Sequence, residues 1–152
     1  MLFRFSNFQV FRFTDHMKIL TFGTFDHLHP GHLAYLNEAK SMGDLFIIVA
    51  RDSHVEEIKG AAPDQSEEFR MAALKEAFPD ATILLGDSED YLVPVRQINP
   101  DLIVMGYDQR LPPGVSEEEL GCKVVRAAPL DPDIHKSSLR KQKTPKASFK
   151  NK

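Results

Sequence analysis

Cysteine is almost missing from this sequence: Cys122 stands alone among 152 residues. One thiol forms no intramolecular disulfide, and no cysteine cluster offers a structural zinc site. A reducing cytoplasm is therefore the expected setting. Long hydrophobic runs are missing as well. None approaches the ~20 apolar residues that a membrane-spanning helix needs. There is no internal repeat and no linker that would divide the chain. A single domain follows from 152 residues, within the usual span of roughly 100–200 per domain. With 42% hydrophobic and 27% charged residues it has the make-up of a soluble globular protein.

The net charge of −3 conceals an asymmetry. Residues 136–152, KSSLRKQKTPKASFKNK, carry seven Lys or Arg and no acid, leaving twelve basic against twenty-two acidic side chains elsewhere. A basic tail meets phosphate ligands, nucleic acid or only solvent. Low apolar content and Pro145 favour a solvated tail over residues 141–152. Residues 1–16 alternate aromatic and polar side chains as an edge strand does. Arg4, Asn7, Gln9 and Arg12 interrupt them, which is unlike a secretory signal. Met17 directly precedes the first convincing strand, so residues 1–16 read as an extension and Met17 as an alternative start. The folded domain is expected over 17–140.

Short apolar runs alternate with helical patterns. KILTFG (18–23) reads as a buried strand, and PGHLAYLNEAKSMG (30–43) as a helix with Pro30 in its first turn and Gly43 as its stop. LFIIVA (45–50) is apolar throughout, as a strand covered on both faces should be. SEEFRMAALKEAF (66–78) is a helix with Ser66 as N-cap and Glu67 and Glu68 in the favourable first turn. Strands follow at 82–86, 101–106 and 122–127, with a partly helical stretch at 89–98 limited by Pro94. A last helical turn is expected from Ser137 or Ser138. This alternation is that of an α/β fold: a Rossmann-like three-layer α/β/α sandwich around a parallel sheet. In such sheets ligands sit at the carboxyl ends of the strands. That places Gly23–Asp26, Arg51–Ser53, Gly86–Asp87 and Gly106–Asp108 along one edge.

GTFDHLHPGH (23–32) occupies the first of these turns. Free amides at the start of the first helix, together with its dipole, would make an anion site there. Gly23 and Gly31 let a ligand approach the backbone. His29 and His32, three residues apart, can face one space. A zinc site of His27, His29 and His32, with Asp26 as fourth ligand, lacks a matched carboxylate or thiol set. Capping or surface histidines are the plainer alternative. Phosphate handling fits best, because imidazole N–H groups donate to phosphoryl oxygens and phosphoryl chemistry is chiefly positioning and charge stabilisation.

The stretch GTFDHLHPGHLAYLNEAKSMGD resembles the opening of the cytidylyltransferase-like nucleotidyltransferases, whose H-x-G-H signature is here His29-Pro30-Gly31-His32. The resemblance runs from about residue 18 to 140. It continues through VARDSHVEEIKG (strand and basic loop), SEEFRMAALKEA (the E-x-R helix), PDLIVMGYDQ (strand and base-side loop) and HKSSLRK (the late Ser/Thr motif). It implies an enzyme that joins a nucleoside triphosphate to a phosphate-bearing acceptor and releases pyrophosphate.

The resemblance implies roles residue by residue. Gly23, Thr24, Phe25 and Gly31 would form the nucleotide cradle, and His29 and His32 would donate to the triphosphate. Lys59, before a Gly60–Pro63 loop, would close over the phosphates; the alternative is a solvated loop lysine. Arg70 would act in catalysis; the alternative is a surface pair with Glu67. Asp108 would read base or ribose, and Ser137 and Ser138 would donate to phosphate or merely cap a helix. A divalent cation, Mg²⁺, would bridge triphosphate oxygens, and no metal-ligating residue is assigned. IVARDSHVEEIKG and MGYDQ look most like archaeal-type FAD synthases, which transfer AMP from ATP to FMN. CTP-dependent transfer to glycerol 3-phosphate or a similar polyol phosphate is the alternative in the same family. A non-catalytic nucleotide- or RNA-binding module is the alternative of another class, although no nucleic-acid partner is expected. No membrane partner is expected. A homodimer is possible.

Overall fold

The computed structural model describes residues 17–129. The expected turn at Ser137 or Ser138, the N-terminal extension and the basic tail lie outside the described residues. Five strands, β1 (Lys18–Gly23), β2 (Asp44–Val49), β3 (Thr82–Leu85), β4 (Leu102–Met105) and β5 (Lys123–Arg126), form one sheet in the order β3-β2-β1-β4-β5. Every pairing is parallel. Helices α1 (Pro30–Lys40), α2 (Asp52–Lys59), α3 (Glu67–Ala77) and α4 (Val93–Ile98) fill the crossovers, and a 3₁₀ turn spans Glu117–Leu120.

Alternate residues of each strand feed opposite faces, as a two-residue period requires. Ile19 and Val104 pack with Leu36 and Ala39 of α1 and Leu74 of α3. Leu20, Ile103 and Met105 pack with Leu92, Val95 and Ile98 of α4 and with Leu120. Thr21 is the polar exception inside β1. It is fully buried, and its hydroxyl donates to the Phe46 carbonyl at 3.2 Å. Three layers result, as expected from the sequence.

One element departs from expectation. Residues 52–59, read as a loop after the second strand, form α2. The reason is a cap that comes from far along the chain. No side chain of Arg51 caps α2; instead the Asp52 N–H donates to Glu67 Oε1 at 2.7 Å. The Glu67 N–H in turn donates to Asp52 Oδ2 at 3.3 Å, so α2 and α3 cap each other.

Candidate active site

The strand order reverses between β1 and β4, and the loops that leave their carboxyl ends part there. The resulting cleft has a volume of about 1480 Å³. That exceeds the roughly 300–1,000 Å³ of a usual single-ligand pocket and leaves room for two substrates. Thr24, His29, His32, Lys59, Tyr91 and Asp108 are among its lining residues.

The loop after β1 is held in an unusual conformation. Phe25 and His27 both adopt left-handed backbone angles, φ 57° and 54°. Such angles are uncommon outside glycine and persist only where surroundings fix them. Here Asp26 does so. Its carboxylate accepts the backbone N–H groups of Asp64 at 2.9 Å and Gln65 at 3.0 Å. The Gln65 side-chain oxygen accepts the His27 N–H at 3.0 Å. Burial works against the Asp26 charge, but the two amide donors and the nearby His27 and Arg70 outweigh it and hold the carboxyl below its ordinary range. The Phe25 ring is buried and stacks on Tyr35, with His32 meeting it edge-on at 5.5 Å.

His29 is the N-cap of α1. Its Nδ1 accepts the N–H groups of Gly31 at 3.1 Å and His32 at 3.3 Å. The proton of the neutral ring is therefore on Nε2. This corrects the expectation of free helix amides facing the cleft: the imidazole has taken those of Gly31 and His32. Gly31 makes room for it, because a Cβ there would lie 3.0 Å from His29 Cε1. The rings of His29 and His32 stack with centroids 3.7 Å apart. Burial, then the His29 charge, lowers the His32 pKa to about 4, with Lys59 adding to the effect and Asp26 opposing it. Its Nδ1 is buried with no partner, so an imidazolium would hold an unsatisfied N–H. His32 is thus neutral at physiological pH.

The cytidylyltransferase-like family profile matches residues 20–138, most of the chain and all of this site as described. The chain belongs to the cytidylyltransferase-like family. It is 44% identical over 123 residues to the FAD synthase of Natronomonas pharaonis, covering 76% of this chain and 86% of that protein. It is 42% identical over 122 residues to the FAD synthase of Halalkalicoccus jeotgali, covering 76% and 84%. The crystal structure of a lipopolysaccharide core biosynthesis protein from Thermoplasma volcanium superposes with a TM-score of 0.68 at 32% identity, covering 76% of this chain and 99% of that one. A family of this kind makes the chain a nucleotidyltransferase.

Within this cytidylyltransferase-like frame the structure brings together Gly23, Thr24, Phe25, His29, Gly31, His32, Lys59 and Asp108 around one cleft. Lys59 closes α2 rather than sitting in a loop, and its Nζ donates to Thr24 Oγ1 at 3.3 Å. Arg70 is neither at the cleft surface nor paired with Glu67. It is fully buried. Its guanidinium donates to the Thr24 carbonyl at 2.7 Å, to the Gln65 carbonyl at 3.0 Å and to Asp52 Oδ1 at 2.5 Å. It is a brace under the cradle, and the Asp52 partner eighteen residues away hid that from the sequence. Asp108 is exposed at the tip of the turn after β4.

Sequence reasoning did not single out Asp52, Gln65, Tyr35 or His54. His54 is buried beside the cleft, where its Nε2 donates to the Ser88 carbonyl at 3.0 Å and its ring lies 4.8 Å from that of Tyr91. Tyr35 alone had a local signal, three residues beyond His32 on the same helix face.

Proposed function

We infer that this chain transfers AMP from ATP to the phosphate of FMN, forming FAD and releasing pyrophosphate. The observation that carries the reading is the stacked His29–His32 pair at the switch-point cleft, in a chain whose FAD synthase relatives match most of its length. An FMN phosphate oxygen forms a bond to the α-phosphorus. The bond from that phosphorus to the bridging oxygen breaks, and its electron pair leaves with pyrophosphate. No protein nucleophile is required. The chain aligns two anions and meets the charge that develops on the α-phosphate and leaving group.

In this reading His29 and His32 donate to the triphosphate through neutral ring N–H groups. Lys59, already folded against Thr24, supplies the positive charge. Arg70 holds the Thr24 carbonyl and so shapes the cradle from beneath. The turn bearing Tyr107 and Asp108 takes the base or ribose. Ser137 and Ser138 are candidates for phosphate donors. A divalent cation such as Mg²⁺ would offset the charge of the triphosphate, which needs few protein ligands. Asp26, His27 and Asp64 cluster closely enough to hold a metal. Asp26 is committed to two amides, however, and the His27 ring to Asp64 at 3.0 Å, so we assign no protein-held ion.

Pyrophosphate release with Mg²⁺, crossing ATP and CTP against FMN and glycerol 3-phosphate, tests the reading. Release with ATP plus FMN alone, with FAD as product, is the expected result. Release only with CTP and a polyol phosphate would keep the chemistry and overturn the substrate pair.

A further inference from the structure

The β1–β4 ladder stops early. β1 pairs with β2 over six residues, and β2–β3 and β4–β5 each pair over four. β1 and β4 pair only at Ile19↔Leu102 and Leu20↔Ile103. Continuing that register by two residues would set Phe22 opposite Met105. A parallel ladder would then join the Phe22 N–H to the Val104 carbonyl, and the Gly106 N–H to the Phe22 carbonyl.

Neither direct bond is present, and each is replaced by a bond through a side chain. The Phe22 amide is directed at the Tyr35 hydroxyl oxygen, and that hydroxyl donates to the Val104 carbonyl at 2.6 Å. On the other side, Gln109 Nε2 donates to the Phe22 carbonyl at 2.6 Å, and Gln109 Oε1 accepts the Gly106 N–H at 2.9 Å. Tyr35 and Gln109 also approach each other at 3.5 Å. Two polar groups thus stand between two strands, each satisfying both edges it separates. The Val104 carbonyl, the Phe22 carbonyl and the Gly106 N–H each keep a side-chain partner, which is what lets the strands part at low cost.

We propose that Tyr35 and Gln109 are positioning residues that wedge β1 and β4 apart and so hold open the nucleotide cleft. The inference deepens the reading of the same site as a nucleotidyltransferase centre. Each wedge residue is tied to one part of it. Tyr35 stacks beneath Phe25, against which His32 rests. Gln109 closes the turn that presents Tyr107 and Asp108: its own N–H donates to the Gly106 carbonyl at 3.1 Å. Arg126 clamps that turn by donating to the Gly106 carbonyl at 2.9 Å and the Gln109 carbonyl at 2.6 Å. The wedge therefore sets the distance between the phosphate cradle and the base-side turn.

A wedge makes an uncommon prediction, because its removal lets the strands zip together. Tyr35→Phe, Gln109→Ala and the double variant should keep or raise Tm, since direct ladder bonds form where side-chain bonds were. Calorimetric affinity for Mg-ATP should nevertheless fall, on the order of tenfold or more in the double variant. Amide exchange at Phe22 and Gly106 should stay slow. Wild-type affinity in the double variant, or an affinity loss that merely tracks a falling Tm, would overturn the proposal. Should the double variant not fold, Gln109→Glu serves instead. Its carboxylate still accepts from Gly106 but donates nothing to Phe22, so binding should be weak at neutral pH and recover as the carboxyl is protonated. A pH-independent affinity in that variant would count against the wedge. Mg-CTP is run alongside, so a cytidine preference in the wild type leaves the wedge tested. Binding without FAD formation by the wild type would count against the acceptor reading only.

Discussion

His29 is a cap and, in the proposed mechanism, also a donor, and an alanine substitution would remove both. Loss of the cap alone costs about 0.5–2 kcal/mol. Loss of a phosphate donor that acts in the transition state should lower turnover about 100-fold or more. His29→Asn separates the two, because the amide oxygen can cap Gly31 and His32 while its N–H groups end short of the position of the ring Nε2–H. Tm should recover in His29→Asn relative to His29→Ala, and turnover should not. Equal turnover in His29→Asn and the wild type would remove this residue from the chemistry. His32 leaves a different signature. Its pKa is about 4 in the folded chain against an ordinary 6.5. Between those values the unfolded chain binds a proton that the folded chain refuses. Stability therefore falls as pH falls through this window and is insensitive to His32 above it. His32→Asn should flatten that part of the profile, measured as urea midpoints at pH 7, 5.5 and 4.5. An unchanged slope would show that His32 is readily protonated in the fold.

Elements were legible where their signals are local. KILTFG is an apolar run ended by glycine, and the strand is β1 with those limits. Ser66 caps α3 by accepting the Phe69 N–H at 3.1 Å, as its position before two glutamates implied. α2 was illegible because Glu67 caps it from the next helix. The wedge was illegible for the same reason: Gln109 and Phe22 are eighty-seven residues apart. Long-range polar contacts leave no period in the sequence. Arg70 shows what this costs in interpretation, since a helix-surface pair is the only reading that local spacing offers. Its buried guanidinium faces Asp52, whose side chain is 38% exposed. Asp52→Ala should destabilise by about 3 kcal/mol, near the low end for a broken buried pair because water still reaches the carboxylate. A loss under 1 kcal/mol in chemical denaturation would show that Arg70 finds its stabilisation elsewhere. Gly43, between α1 and β2, tests a close approach instead. A Cβ there would lie 2.4 Å from the Met17 carbonyl oxygen, which accepts the Asp44 N–H. Gly43→Ala should therefore lower stability by about 1–3 kcal/mol without changing KM for ATP.

At the scale of the whole molecule the fold class followed from the alternation of strands and helices, and the place of the cleft from the rule that ligands sit at the carboxyl ends of the strands. What the sequence could not convey is that one cleft runs from the α2 side of the sheet to the turn after β4, with the histidine pair on its wall. That continuity has a kinetic consequence. Direct transfer requires both substrates in the cleft together, whereas transfer through a covalent nucleotidyl-enzyme does not. An ATP analogue with a methylene between the α- and β-phosphates blocks pyrophosphate release and allows the two cases to be told apart. At a hundred times its Kd a ligand that binds only the folded state adds about 2.7 kcal/mol. For a domain of this size that is a rise of roughly 5–10 °C in Tm. The analogue with Mg²⁺ should produce such a shift, and FMN should add a further one of similar order in its presence. If FMN adds nothing to the analogue-bound protein yet supports FAD formation from ATP, the two substrates do not share the cleft. The direct-transfer reading would then give way to a covalent intermediate.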